Sequence, residues 1–351
     1  MVVPSDTMAA LESLPLDIIP TVDMSAPAGR GELAQRLVRA CAERGFFKAV
    51  NHGVPPSVSS RLDAAAMAFF ARPARVKQAA GPPDPLGYGS RNIGAHGDVG
   101  ELEYLLLHTE PDAVARKAKT IDTEDPSRFS EAVNEYVDAV RRLACRVLDL
   151  LGEGLGLRDP TSLSRLISAV DSDSLLRINH YPPSRTVDGP KSGNGGVGGA
   201  KGSTAIGFGE HTDPQILSVL RANDVDGLQV LLPDGHGGDE DWVQVPADPS
   251  AFFINVGDLL QALTNGRLVS IRHRVMASTS KPRLSTIYFA APPLHAHISA
   301  LPETVTPASP RRYRPFTWEE YKKAMYALRL SHNRLDLFQA GGDVTVKGYD
   351  Q

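Results

Sequence analysis

The stretch "GFGEHTDPQILSVL", residues 207–220, decides how this chain is read. Two glycines and a glutamate lead into His211-Thr212-Asp213, and a proline and an apolar run follow. In an extended chain residues i and i+2 point to the same face, so His211 and Asp213 converge where a buried strand opens. A polar turn is one account of that triplet, and half of a metal site is the other. About sixty residues further on, "VSIRHRVMAS" sets His273 among arginines. Two histidines and one carboxylate hold a first-row metal on one face and leave three coordination positions open. His211, Asp213 and His273 are therefore the candidate ligands.

The surroundings supply strands to carry them. From about residue 174 short β runs recur: "LLRINHYP", "TAIGFGEHTD", "ILSVLRA", "GLQVLL", "WVQVP", "AFFINVG", "RHRVMA" and "RLSTIYFAAP". Turns rich in Gly, Pro, Asn and Asp separate them, which predicts an antiparallel sandwich or barrel. Before this region the texture is mixed. "IIPTVDMS" and "GFFKAVNHG" read as strands, and helices are expected over about 31–45, 56–72 and 127–156, with a shorter one in "PTSLSRLISAV". "ELEYLLL" reads as a strand. The segment "GPPDPLGYGSRNIGAHGDVG" is too rich in Gly and Pro for regular structure, and "FTWEEYKKAMYALRL" returns to helix. The Gly-rich insert at 189–202 reads as a flexible surface loop, and its Lys201-Gly202 is in the wrong order for a phosphate-binding loop. The expected division is an N-terminal, helix-rich region over 1–165 whose strands join the core, a β core over 166–300, and a C-terminal helical segment over 301–351.

Ten residues past His273 stands "KPRLSTIYF". Arg283 and Ser285 share a strand face, and a guanidinium with a hydroxyl beside it can clamp a carboxylate. Asn179 and Tyr181 in "LRINHYPP" alternate onto one face in the same way. His295 and His297 form a rival pair with no carboxylate at suitable spacing, while His52, His180 and His332 read as structural or surface residues.

The bulk numbers exclude more than they assign. The chain has 351 residues, 42% hydrophobic and 22% charged, with a net charge of -4. That suits one large domain or two tightly joined ones and gives no basic face for nucleic acid. No apolar run is long enough to span a membrane, and the N-terminus lacks the pattern of a signal peptide. The two cysteines, Cys41 and Cys145, lie in amphipathic helical stretches and read as buried reduced thiols, which favours the cytoplasm. A homo-oligomer is compatible with the sequence, which does not set the oligomeric state.

With these motifs in place the chain resembles, over nearly its whole length, the plant 2-oxoglutarate and iron(II)-dependent dioxygenases. Within that family it resembles the gibberellin 2-oxidases, through "GYGSRNIGAHGDVGELEYLLL", "GFGEHTDPQILSVLRANDVDGLQV" and "FTWEEYKKAMYALRLSHNRLDLFQ". The resemblance implies a mixed α/β fold with a mainly β core, a double-stranded β-helix or jelly roll flanked by helices. It implies Fe(II), 2-oxoglutarate and O2, with iron on His211, Asp213 and His273. Arg283 and Ser285 would hold the distal carboxylate of 2-oxoglutarate, helped by Tyr181 and Asn179. The implied reaction is 2β-hydroxylation of a gibberellin, coupled to conversion of 2-oxoglutarate into succinate and CO2. Arg91 and Tyr326 are the candidates for holding that substrate, a rigid apolar ring system bearing a carboxylate. Three alternatives stay open: another substrate of the same reaction class, such as a flavonoid or a different gibberellin position; a jelly-roll hormone-binding protein without turnover; and a metallohydrolase, for which only Glu210 offers a base. Strand alternation turns Glu210 away from His211.

Overall fold

The computed structural model describes residues 18–82, 86–92, 99–183, 206–233, 240–278, 280–328 and 334–341. The Gly-rich insert 189–202 and His332 lie outside them. In chain order the N-terminal elements are β1 (Thr21–Asp23), α1 (Arg30–Glu43), β2 (Phe46–Val50), α2 (Pro56–Phe70), α3 (Ala74–Gln78), β3 (Gly87–Asn92), β4 (Val99–His108), α4 (Pro111–Ile121), α5 (Pro126–Leu155) and α6 (Ser162–Ser168). Helix α5 begins where Pro126 occupies its first turn and the Asp125 carboxylate accepts from the Arg128 amide. It ends at Gly156, which takes the left-handed φ of 74° that a side chain disfavours. Its apolar stripe, including Val133, Val140, Leu148 and Leu151, is buried against the sheet.

The β core comprises β5 (Leu175–Tyr181), β6 (Ile206–His211), β7 (Leu217–Ala222), β8 (Leu228–Pro233), β9 (Glu240–Gln244), β10 (Phe252–Val256), β11 (His273–Met276) and β12 (Arg283–Ala290). Helix α7 (Asp258–Leu263) interrupts it between β10 and β11. The strands form an eight-stranded sheet in the order β1-β2-β10-β7-β12-β5-β4-β3 and a four-stranded sheet in the order β6-β11-β8-β9. From β5 to β12 the chain passes repeatedly from one sheet to the other, and among the described residues only the β1–β2 pair is parallel. Two facing antiparallel sheets wound in this way make a jelly roll. Phe46, Leu220, Leu228, Val230, Phe253, Ile271 and Ile287 form a core cluster that draws on both sheets, while the opposite face of the large sheet packs on α5.

The C-terminal part adds β13 (His297–Ile298), β14 (Phe316–Thr317) and α8 (Trp318–Tyr326). Trp318 Nε1 and Lys322 Nζ both donate to Asp173, just ahead of β5, at 2.7 and 2.6 Å. No helix among the described residues is long and apolar enough to cross a membrane.

The Gly- and Pro-rich segment 81–100 was expected to be irregular, and there the structure differs: it contains β3 and the start of β4. Gly89 on β3 sits opposite Tyr104 on β4, and a Cβ there would run into the tyrosine ring. The glycine that lowers strand propensity is the one this pairing requires. Cys41 is buried and Cys145 half-buried, both as free thiols, and burial pushes Cys41 up to about 12.

Candidate metal and co-substrate site

The last residue of β6, His211, stands directly opposite the first residue of β11, His273, in the small sheet. Their ring centroids are 4.3 Å apart. Asp213 lies two residues beyond the end of β6, and its Oδ1 is 3.6 Å from His211 Nε2 and 3.7 Å from His273 Nε2. Ligand atoms from all three residues lie within 4.8 Å of one another. His211 Nδ1 is 2.8 Å from the Gly209 carbonyl and His273 Nδ1 is 3.2 Å from the Ile271 carbonyl. A carbonyl oxygen can only accept, so each Nδ1 carries the proton and each Nε2 lone pair is turned towards Asp213. This donor set fits a divalent first-row metal, which takes neutral imidazole and ionised carboxylate. Burial drives His273 down to about 4, against the pull of Asp213, so the imidazole is neutral near pH 7. Burial works to raise Asp213, but His273 and His211 outweigh it and hold the carboxyl well below its usual range.

A second layer fixes the loop that carries Asp213. The Asp258 amide at the start of α7 donates to the Asp213 carbonyl at 2.8 Å. The Asp258 carboxylate accepts from Thr212 Oγ1 at 3.2 Å, Ser270 Oγ at 2.7 Å and the Tyr321 hydroxyl at 2.8 Å. The Arg334 guanidinium donates to the Thr212 carbonyl and lies 3.8 Å from Asp258. Neither Asp258 nor Arg334 was singled out from the sequence. The "NVGDLLQAL" stretch carries a helix-start signal at Asp258, whereas nothing near Arg334 marks it as buried.

Across the interior, Arg283 stands opposite Tyr181 and Ser285 opposite Asn179 in the β12–β5 ladder. The four residues expected to hold 2-oxoglutarate are thus two cross-strand pairs on one sheet face. All four are buried. Arg283 is 2% exposed, its Cζ is 5.3 Å from the Tyr181 ring, and its Nε and Nη1 have no hydrogen-bond partner. Buried guanidinium donors without partners fit a carboxylate ligand. Gly227 makes room for them, because a Cβ there would lie 3.0 Å from Arg283 Cδ.

The other candidates divide. Tyr326 sits at the end of α8, 48% exposed, within electrostatic reach of Asp173, Arg177 and Tyr104. Arg91 does not join the site: its side chain is 70% exposed and faces Glu101 at 3.7 Å. A β-bulge between Ser90 and Asn92, with Arg91 at φ 63°, breaks the alternation that would have carried it inward. Glu210 receives the Arg272 Nε at 2.8 Å, in keeping with a side chain turned away from the triad. His295 is exposed beside Asp171 and forms no metal cluster among the described residues. His52 and His180 are structural, His52 hydrogen-bonding Ser250 and Val54 and His180 bonding Glu103.

A jelly roll with a His-X-Asp…His triad at one end and a buried, unsatisfied arginine deeper within defines a non-haem iron oxygenase that uses a 2-oxo acid. The comparisons agree: the 2OG-Fe(II) oxygenase superfamily matches residues 172–292, and the family described as non-haem dioxygenase in morphine synthesis N-terminal matches residues 19–128. The chain belongs to the 2OG-Fe(II) oxygenase superfamily and, within it, to the family of the gibberellin 2-beta-dioxygenases. It is 74% identical over 325 residues to gibberellin 2-beta-dioxygenase 2 of Oryza sativa subsp. japonica, covering 92% of this chain and 87% of that one. It is 49% identical over 327 residues to gibberellin 2-beta-dioxygenase 4 of Arabidopsis thaliana, covering 93% and 96%. Among solved structures, the dioxygenase for auxin oxidation in rice superposes with a TM-score of 0.73 at 28% identity, over 92% of this chain and all of that one. JOX2 in complex with 2OG, Fe and JA superposes with a TM-score of 0.76 at 26% identity, over 97% and 98%.

Proposed function

We propose that this protein inactivates gibberellins by 2β-hydroxylation, with His211, Asp213 and His273 as the iron ligands. The observation that carries the reading is the meeting of that triad with a buried, partnerless Arg283 in a chain 74% identical to a rice gibberellin 2-beta-dioxygenase. Iron(II), 2-oxoglutarate and O2 supply the oxidising chemistry, in which 2-oxoglutarate becomes succinate and CO2 and one oxygen atom enters the substrate.

The chain's own residues bind and orient. The two Nδ1–H···O=C bonds aim the imidazoles, and the Asp258 amide sets the chain at Asp213. Arg283 and Ser285 take the distal carboxylate of 2-oxoglutarate, with Tyr181 and Asn179 beside them. This fixes how far the 2-oxo acid end reaches towards the triad. Phe208, Val275, Leu102 and Tyr104 give the neighbouring wall an apolar character suited to a fused-ring substrate. Tyr326 on α8 contributes to the rim. The three expected units act together, the N-terminal strands widening the sheet and Tyr321 and Arg334 of the C-terminal segment bracing the loop that carries Asp213.

The test is anaerobic loading with Fe(II) and 2-oxoglutarate, followed by air and a bioactive gibberellin, with products read by mass spectrometry. We expect a gain of one oxygen that depends on 2-oxoglutarate and is lost in His211→Ala. Succinate formed only with some other substrate would keep the oxygenase and discard the gibberellin. No succinate from any of a panel of hormones would favour a binding protein.

A further inference from the structure

Arg177 begins the alternation that Asn179 and Tyr181 continue, so it lies on the same face of β5. In the β5–β12 ladder it stands opposite Ile287, as Asn179 and Tyr181 stand opposite Ser285 and Arg283. The same face therefore carries two arginines. They are separated by four residues of strand, about 13 Å at the usual rise. An anion held by Arg283 leaves Arg177 free for a second one.

The Arg177 guanidinium is set in a slot. Its Cζ is 4.0 Å from the centroid of the Tyr104 ring and 5.0 Å from that of Phe208. Tyr104 can occupy its place because residue 89 is glycine. Arg177 Nε donates to Asn179 Oδ1 at 2.8 Å, which fixes the plane of the fork. Its Nη2 is buried and has no hydrogen-bond partner. Asp213, Tyr181 and Tyr326 all lie within its electrostatic reach, which puts the group between the triad and the C-terminal rim. Aromatic packing orients a guanidinium, but it does not satisfy the donors of one that is taken out of water. Nothing among the described residues supplies what Nη2 lacks, and a planar carboxylate would.

We propose that Arg177 receives the carboxylate of the substrate and so makes the enzyme selective for the free acid. This rests on the gibberellin reading above, in which the substrate is an apolar ring system with one carboxylate. Arg177 is a specificity residue here: it grips the substrate away from the carbon that is oxidised.

The experiment compares a bioactive gibberellin with its methyl ester in the wild type, Arg177→Met and Arg177→Lys, reading hydroxylated product by mass. The wild type is expected to prefer the acid by about 100-fold in kcat/KM, the usual range for a buried charge-assisted contact. Arg177→Met should raise KM for the acid by a similar factor, bring the acid-to-ester ratio close to one, and leave KM for 2-oxoglutarate within about twofold. Arg177→Lys should recover part of the preference. An unchanged ratio in Arg177→Met overturns the proposal. So does a rise confined to KM for 2-oxoglutarate, which would give Arg177 to the co-substrate. Should Arg177→Met not fold, equal use of acid and ester by the wild type is decisive against it. Turnover of neither acid nor ester, with succinate formed on some other substrate, is the separate result that removes the gibberellin reading itself.

Discussion

At the scale of single residues, the site is built from groups whose hydrogen bonds leave one direction unused. His211 and His273 spend Nδ1 on the backbone and keep Nε2. Asp213→Ala should abolish tight iron binding, measured as bound metal after desalting, while a circular dichroism melt stays close to that of the metal-free wild type. Retained metal would remove Asp213 from the ligand set. Glu103 shows the contrast of a carboxylate that is fully used. It accepts from Lys77 Nζ, from the Tyr88 hydroxyl at 2.7 Å and from His180 Nδ1 at 2.9 Å. Burial alone would raise it, but these donors outweigh burial and lower it below its ordinary value of 4.5. A carboxylate lowered on folding stabilises the native state above its unfolded value and loses that contribution as pH falls through the folded value. Thermal melts should therefore show Glu103→Gln about 1–3 kcal/mol less stable at pH 7, with the gap narrowing as pH falls below 4.5. Parallel curves would show that the network does not depend on the charge. The sequence made the triad legible because His-X-Asp is local and His273 is a second local signal. Arg177 was overlooked although the rule that paired Asn179 with Tyr181 also includes it: its role depends on Tyr104 and Phe208, which come from distant strands.

Among the elements, long periodic segments were readable and glycine-rich ones were not. The helix expected over about 127–156 is α5, and the strand runs after 174 match β5 to β12 closely. Helix α4 was missed although Glu110 caps it, accepting from the Asp112 and Ala113 amides, and Pro111 occupies its first turn. β3 was missed because Gly87 and Gly89 argue against a strand locally, while the gain lies across the ladder in Leu106 and Tyr104. That difference gives a test. Gly89→Ala should cost about 1–3 kcal/mol, since the Tyr104 ring must move off a well-packed position. If Tyr104 holds Arg177 in its slot, the same change should raise KM for the organic substrate more than KM for 2-oxoglutarate. Steady-state kinetics with each substrate varied in turn separates the two effects, and equal rises would mean a general loosening of the sheet.

Over the whole molecule, the jelly roll separates the two ends of the reaction site onto different sheets. The triad sits on β6, β11 and the loop after β6, in or beside the small sheet, while Arg283, Ser285, Asn179 and Tyr181 belong to the large one. The sequence indicated both halves and the class of fold, but not how the strands are shared between sheets, because sheet assignment depends on pairings far apart in the chain. The division predicts a thermodynamic signature. A ligand that binds only the folded state stabilises it by about 2.7 kcal/mol at a hundred times its Kd. Iron(II) alone should raise Tm by joining strands of the small sheet, and 2-oxoglutarate added to the iron-loaded protein should raise it again by bridging to the large one. In Arg283→Met the first increment should persist and the second should fall to near zero, because the carboxylate loses its guanidinium while the triad is untouched. His273→Ala should lose the first increment and with it most of the second, since a co-substrate that reaches from Arg283 towards the triad finds no metal at its far end. Anaerobic differential scanning fluorimetry on the three proteins reads all six increments. A second increment that survives in Arg283→Met would show that 2-oxoglutarate is held by other donors on this face, with Arg177 the first to examine.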